Sequence, residues 1–150
     1  MTSTGAQSPR WVHAILDWRW TWLLARIGLV GAYLVSGFTK LLDFPTAVRE
    51  LEPLGFHPGW LWVTIVIIAQ IGGSLLLIFG RFVWLAAGTL GVLTFVATFA
   101  ANHFWTMAGQ ARVPATNAFF EHFGLIAGFV MAALLADHDE RKKRSLAGGP

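Results

Sequence analysis

The sequence predicts an all-α integral membrane protein, a bundle of four transmembrane helices with both termini in the cytoplasm. Of its 150 residues, 55% are hydrophobic and only 13% are charged, whereas a soluble domain carries about 25% charged residues. The apolar residues form four long runs that are separated by short polar links. A helix needs about 20 such residues to cross about 30 Å of hydrocarbon, so each run is long enough to span a membrane once.

The predicted spans cover residues 20–39, 60–79, 82–101 and 118–136, and together they form one transmembrane domain, residues 20–136. Residues 1–19 precede it as a polar cytoplasmic segment that we expect to be partly disordered. Its second half contains Trp11, Trp18 and Arg19, which are typical of a short interfacial helix. Residues 137–150 form a basic cytoplasmic tail. Strands are not predicted, because the runs are continuously apolar and about twice the length of a barrel strand.

The basic residues predict the orientation of the bundle. Cytoplasmic loops of membrane proteins carry more Lys and Arg than outer loops do. An inside N terminus places eight basic residues on the cytoplasmic side and three outside; the eight are Arg10, Arg19, Arg26, Arg81, Arg141, Lys142, Lys143 and Arg144, and the three are Lys40, Arg49 and Arg112. The run at 141–144 follows the last span directly, so it favours contact with anionic lipid headgroups and not with nucleic acid.

Several classes of cofactor site are excluded or disfavoured by the residues present. The chain has no cysteine, which excludes disulfides, thiolate metal sites and iron–sulfur ligation by this chain. His103 and His122 lie on adjacent helices and raise the alternative of a b-type haem, but both are close to the membrane surface, so haem is disfavoured. Glu121 and the two histidines match no compact metal motif, and no metal site is predicted.

Each predicted span carries one stripe of small or polar residues at helical spacing. Helices in lipid associate through small residues and polar contacts, so we expect the four stripes to face one another around a polar interior. The stripes are Arg26, Tyr33, Gly37 and Lys40 in the first span, Gln70, Gly73 and Ser74 in the second, Gly91, Thr94, Thr98 and Asn102 in the third, and Asn117, Glu121, Gly124 and Gly128 in the fourth.

Polar residues in the outer half of the bundle predict a binding pocket. An ionisable side chain inside a span costs at least about 2.5 kcal/mol on insertion scales, so such residues usually face the bundle and serve a function. The expected pocket is lined by Lys40, Gln70, Asn102, His103, Asn117, Glu121 and His122. The alternative is a set of interhelical hydrogen bonds without a ligand. Arg26, in the first stripe but on the cytoplasmic side, is a further binding candidate or a residue that extends to the headgroups.

Several of these residues resemble the DoxX family of small bacterial membrane proteins, related to the small subunit of thiosulfate:quinone oxidoreductase. Residues 37–44 resemble the end of that family's first helix, and Arg26 stands where the family tends to carry arginine. Residues 70–81 are similar to the family's second signature, and the Asn-His ending at 102–103 and Glu121 also fit. The resemblance covers residues 22–136. It departs at Gln70, where the family usually has glutamate. If that carboxylate handles protons in relatives, this chain has lost the proton acceptor at this position and kept the hydrogen bonds.

The resemblance implies a multi-pass protein of the bacterial cytoplasmic (inner) membrane that is linked to respiratory redox chemistry. We expect a subunit of a quinone-linked oxidoreductase complex that binds quinone or quinol, with the electron donor on a partner subunit. In this hypothesis Lys40 and His103 contact the quinone oxygens, and Glu121 and His103 are the candidates for proton exchange. Gln70 and Asn117 would orient the ring. The alternative is an accessory subunit that packs against a larger membrane complex without its own ligand.

Overall fold

The computed structural model describes residues 9–18, 20–101 and 103–147, and within these ranges the chain is helical and contains no strand. The α-helices are α1 (Arg10–Leu16), α2 (Thr21–Leu42), α3 (Phe44–Leu51), α4 (Gly59–Phe79), α5 (Val83–Ala101) and α6 (Arg112–Ala147). Short 3-10 helices occur at Glu52–Leu54, Phe104–Thr106 and Gly109–Ala111. The predicted all-α fold is confirmed.

Within the part of the chain that the structure describes, four helical segments are long and apolar enough to cross a membrane. They contain α2, α4, α5 and α6, one each, so the predicted four-helix membrane protein is also confirmed. The cytoplasmic placement of both termini stays a prediction. We call the end of the bundle at residues 80–82 the turn end, and the opposite end, where α2 stops and α4 begins, the α3 end.

The turn end is formed by a tight connection between α4 and α5. Gly80 adopts a left-handed conformation (φ 70°) and ends α4, with its N–H donating to Leu77 O and the Arg81 N–H donating to Leu76 O. This pair of hydrogen bonds satisfies carbonyls that would otherwise be unpaired at the helix end. Because only three residues separate the helices, α4 and α5 are antiparallel neighbours.

At the α3 end a short amphipathic helix, which the sequence analysis did not predict, fills the link between the first two spans. The Asp43 carboxylate accepts the Thr46 N–H at 3.3 Å and caps α3, and Pro45 stands in its first turn. The buried Ala47 packs with Val63 and Ile67 of α4. The helix therefore lies over the first half of α4 and covers part of its apolar surface.

The core joins all four spanning helices near the turn end. Its buried residues are Val30 and Tyr33 of α2, Leu77 of α4, Ala86, Ala87 and Leu90 of α5, and Phe129 of α6. Helices adjacent in the order α2, α4, α5, α6 pack on each other, and α2 meets α6 where Leu29 lies against Gly128. A Cβ on Gly128 would come within 3.0 Å of Leu29 Cδ1, so glycine permits this approach.

The stripe of α6 is oriented differently from the expectation. Asn117, Glu121 and Gly124 are exposed, and Gly128 is half-buried against α2. The physical reason is that α6 packs through bulkier side chains near the α3 end: Phe119 forms edge contacts with Phe99, Phe104 and Trp105, and it also contacts Phe123. These rings pack α6 against the end of α5, and Asn117, Glu121 and Gly124 lie on an exposed side of α6.

The predicted basic tail continues α6 as a helix to Ala147. Its exposed charges pair along the helix, Arg141 with Asp137 at 2.7 Å and Arg144 with Glu140 at 3.8 Å. Exposed pairs of this kind contribute only about 0.3–0.5 kcal/mol each. They favour a helical tail without fixing its position against the bundle.

Candidate functional site

A large apolar groove lies between α4 and α5, and we call it the lateral groove. It has a volume of about 770 Å³ and follows α5 from Trp84 to Ala101, and at the α3 end it reaches Leu54 and Phe56. Its walls are almost entirely apolar side chains, among them Trp62, Val66, Leu93 and Val96. Three polar residues, Ser36, Lys40 and Gln70, line it from α2 and α4.

These three residues form one hydrogen-bonded cluster around the Ser36 hydroxyl. Lys40 Nζ donates to Ser36 Oγ at 2.7 Å, and Gln70 Nε2 donates to the same oxygen at 3.2 Å. Gln70 is only 8% exposed, and its Oε1 is buried with no hydrogen-bond partner among the described residues. A buried polar atom without a partner costs about 1–3 kcal/mol, which is the state expected of a site that is completed by a ligand.

Close packing of α2 on α4 makes this cluster possible. A Cβ on Gly37 would lie 2.7 Å from Ile71 Cγ1 and 3.2 Å from Gln70 Cβ. Any larger residue would push the helices apart, because side chains of packed helices have little room to move. Gly37 therefore sets the distance across which Ser36 and Gln70 bond.

A second polar contact joins α2 to α5 in the core. The hydroxyls of Tyr33 and Thr94 are 2.5 Å apart, and Thr94 also donates to the Leu90 carbonyl at 2.7 Å. A threonine hydroxyl has a single proton, and Thr94 uses it on Leu90. Tyr33 is consequently the donor in the contact between the two helices.

A third polar contact joins α5 to α6. Thr98 donates to the Thr94 carbonyl at 2.6 Å, and its oxygen lies 2.8 Å from His122 Nδ1. Because the Thr98 proton is already used, His122 must donate from Nδ1, which fixes the position of the proton on its ring. His122 thus has a defined role in holding α6 on α5.

The structure divides the predicted outer pocket into separate parts. It brings Lys40 and Gln70 together through Ser36, and it places His122 in the contact with Thr98. His103, Asn117 and Glu121 are exposed, and His103 packs edge-on against Trp105 at 5.4 Å. Asn102 lies outside the described residues. Among the described residues no three His, Asp or Glu side chains lie close enough to hold a metal ion.

Arg26 is at the opposite end of the bundle from Lys40. Its guanidinium lies 4.9 Å from the Trp22 ring centroid, and a Cβ on Gly80 would collide with its Nη1. A cation at the end of α4 stabilises the negative end of the helix dipole. The structure therefore gives Arg26 a role in joining α2 to α4 at the turn end, away from the lateral groove.

Ser36 was missed by the sequence analysis although it organises the cluster. The available signal was its position one helical turn before Lys40, where side chains four residues apart are neighbours.

A second groove of about 580 Å³ lies between α5 and α6. Its walls are apolar except for Asp137 and Glu140 at one end, and both carboxylates are paired with arginines of the tail.

Comparisons with known proteins agree on the class of protein. The DoxX family model matches residues 21–103, a range that includes α2 to α5 and the whole lateral groove. The chain is also similar to the Inner membrane protein YphA of Escherichia coli (strain K12), with 25% identity over 112 residues, 75% of this chain and 80% of the relative. No solved structure matches. Since the family model matches more than half of the chain, this protein is a membrane protein that belongs to the DoxX family.

Proposed function

We propose that this DoxX-family protein is a subunit of a redox complex in the bacterial inner membrane and that it binds quinone or quinol in the lateral groove. The observation that carries the proposal is the combination of a long apolar groove of about 770 Å³ with the Ser36–Lys40–Gln70 cluster on its wall, in which Gln70 is buried and the other two are half-buried. A quinone has the matching chemistry, an apolar tail and a head with oxygens at its edges.

The polar cluster suits the quinone head. Lys40 has three N–H donors, and the bond to Ser36 uses one of them, which leaves donors for a ring oxygen. Gln70 would hold the ring beside it, with Oε1 turned by rotation of the terminal amide so that it accepts from a quinol hydroxyl. In this arrangement His103 and Glu121, both exposed, do not contact the ring, and Lys40 and Gln70 carry the recognition.

Electrons would come from or go to a partner subunit. The chain has no cysteine for an iron–sulfur cluster, and the lateral groove is lined by apolar walls. The relative's printed name places it in the inner membrane, and we extend that location to this chain as part of the proposal.

The test is quinone content. Lys40→Met and Gln70→Leu remove the two groups proposed to bind the head. A hydrogen bond from the charged Lys40 is worth about 1.5–3 kcal/mol, or about tenfold or more in affinity, and one with the neutral Gln70 about 0.5–1.5 kcal/mol, or about two- to tenfold. The wild-type protein, purified gently and extracted with solvent, should yield close to one quinone per chain by mass spectrometry. Lys40→Met should yield about a tenth of that or less, and Gln70→Leu an intermediate amount.

Lys143→Met is the matched control, since it makes the same chemical change on the exposed tail. Its quinone content should equal that of the wild type. Equal quinone in Lys40→Met and Lys143→Met, with both proteins folded by circular dichroism, would contradict the proposal.

A second function, an accessory subunit without its own ligand, is favoured by one specific feature. Glu121 and Asn117 lie one turn apart on the exposed face of α6, within the predicted fourth span. An ionisable group that faces lipid is costly, so this face suits a polar group of another membrane protein. If this second function is correct, Glu121→Gln should release a co-purifying partner, and extracts of the wild type should contain no stoichiometric quinone.

A further inference from the structure

A small polar cavity lies at the corner between α2 and α3, and we call it the corner crevice. Its volume is about 190 Å³, and it is lined by Ser36, Thr39, Lys40, Asp43, Thr46, Ala47 and Glu50. Thr39, Asp43 and Glu50 are exposed at the α3 end. Six of these seven residues carry a hydroxyl, ammonium or carboxylate group, in contrast to the residues of the lateral groove.

The two cavities share a wall. Ser36 and Lys40 line both the corner crevice and the lateral groove. From the mouth of the corner crevice toward the lateral groove, the side chains become less exposed to solvent. Asp43 and Glu50 are exposed, Lys40 and Ser36 are half-buried, and Gln70 is buried. The hydrogen-bonded side chains of Ser36 and Lys40 therefore separate the lateral groove from the water at the α3 end.

We propose that the corner crevice is the route by which protons exchange between the head of a ligand in the lateral groove and water at the α3 end. Ser36 and Lys40 form the relay, and Asp43 and Glu50 stand at the mouth as proton acceptors. The identity of the ligand rests on the proposed function, but water access to Ser36 does not.

The relay needs groups that both take and give a proton. A serine hydroxyl does so, but it has only two lone pairs, and Lys40 and Gln70 both donate to Ser36 Oγ. Rotation of the Gln70 amide toward the ligand releases one lone pair; a ligand hydroxyl then gives its proton to Ser36 Oγ, and the proton of Ser36 passes to water in the corner crevice. Ser36 ends with one proton, as it began, and no electron moves. Asp43 Oδ1 accepts the Thr46 N–H, which leaves its second oxygen for this water.

The chemistry of quinones makes such a route necessary. Oxidation of a quinol releases protons. Apart from Ser36, Lys40 and Gln70, the lateral groove is lined by apolar side chains and the Thr89 hydroxyl, with no carboxylate or imidazole to take these protons. Ser36 and Lys40 form the part of the groove wall that borders the exposed carboxylates of α3. A proton released at the ring therefore has its shortest polar path through Ser36 and Lys40.

The absence of native cysteine allows a direct test. Ser36→Cys would carry the sole thiol, and the protein in sealed vesicles is treated with a membrane-impermeant, positively charged methanethiosulfonate or with lipid-soluble phenylmaleimide. Ser36→Cys should react with both reagents, with the charged one only from the α3 side. Ala69→Cys, which lines the lateral groove but not the corner crevice, should react with the lipid-soluble reagent alone.

A second variant, in which a bulky side chain blocks the mouth of the corner crevice, makes the test more specific. Thr39→Phe, added to Ser36→Cys, should slow labelling by the charged reagent by about tenfold and leave phenylmaleimide labelling unchanged. If Ser36→Cys does not fold, Lys40→Cys reports on the same wall.

Labelling of Ser36→Cys by phenylmaleimide but not by the charged reagent would overturn the proton route. Since labelling requires no quinone, this result leaves the proposed function standing. Conversely, labelling by both reagents in a protein whose extract holds no quinone would refute the proposed function and retain the water access.

Discussion

At the turn end of the bundle, Val30, Leu77 and Leu90 are fully buried and all four spanning helices meet in one apolar core. At the α3 end hydrogen bonds join the helices in addition to side-chain packing, Ser36 with Gln70 and Thr98 with His122, and the corner crevice lies beside the first of these bonds. The turn end is thus held by apolar packing among four helices, whereas the α3 end combines packing with polar contacts between helices.

The difference between the two ends indicates how a small membrane bundle can be stable and also contain a binding site. Lipid does not drive helices together, so close van der Waals packing must supply much of the association energy. The apolar core at the turn end, together with α3 and the aromatic rings at the α3 end, supplies this packing, so the α3 end can also hold buried polar groups. Mutations at the turn end should therefore change stability, whereas mutations at the α3 end should change ligand binding as well.

The largest expected effect comes from breaking a close-packed contact between α2 and α4 at the α3 end. Gly37→Val should destabilise the bundle by about 3 kcal/mol, because its side chain would overlap Ile71 and separate α2 from α4. Quinone content should fall with it, since Gln70 moves away from Ser36. The measurement is unfolding in mixed micelles followed by circular dichroism.

Gly28→Val is the control on the same helix, because a Cβ at Gly28 meets nothing within 4 Å. It should change the free energy of unfolding by no more than about 0.5 kcal/mol. Similar losses in the two variants would mean that helix propensity, and not the contact with α4, decides the effect.

A smaller effect is expected at the turn end from Gly80→Ala. A left-handed residue other than glycine costs about 1–2 kcal/mol, and here the new methyl group also displaces the Arg26 guanidinium from the end of α4. Gly109→Ala has the same backbone cost, with φ 67°, but meets no neighbour within 4 Å.

Thermal unfolding of the two variants isolates the Arg26 contact. Gly80→Ala should be less stable than Gly109→Ala by about 0.3–1 kcal/mol, the range for a cation at a helix C terminus. Equal losses would show that Arg26 contributes nothing to the closed end and would weaken the contrast between the ends.

The smallest effect is expected for the hydrogen bond that lies between the two ends. In a double-mutant cycle, Tyr33→Phe and Thr94→Val should show a coupling energy of about 0.6 kcal/mol, the average for hydrogen bonds between membrane helices. The cycle cancels the loss of the Thr94 bond to Leu90. A coupling of zero would indicate that apolar packing alone joins α2 to α5.

Much of the fold could be predicted from the sequence, but less of the site. Long apolar runs predict spanning helices because length and hydrophobicity suffice to cross a bilayer, and the stripe of Gln70, Gly73 and Ser74 is buried as expected. The helix α3 was missed, although Phe44, Ala47, Val48 and Leu51 show its period. Because this segment is short and contains Pro45, it was interpreted as a link that ends the first span and not as a helix.

The grouping of polar residues was less predictable. His103, Glu121 and Lys40 were placed together because they share a depth in the membrane, yet depth does not fix the direction in which a side chain points. The rings of Phe99, Phe119 and Trp105 turn α6 so that Glu121 is exposed. Ser36 is small and uncharged, so the sequence did not indicate that it lies at the centre of the cluster.

The sequence by itself determined that this protein crosses a membrane as four helices, because the transfer of apolar runs into lipid depends on composition and length and not on neighbours. It also carried the signatures of the DoxX family. Three features are seen only once the helices have packed. Ser36 joins Lys40 to Gln70, and Arg26 lies against Gly80 at the opposite end of the bundle. The lateral groove and the corner crevice share the wall formed by Ser36 and Lys40. Those features depend on the rotation of each helix about its axis, which is set by the fit of side chains such as Gly37 and Phe119 against their neighbours.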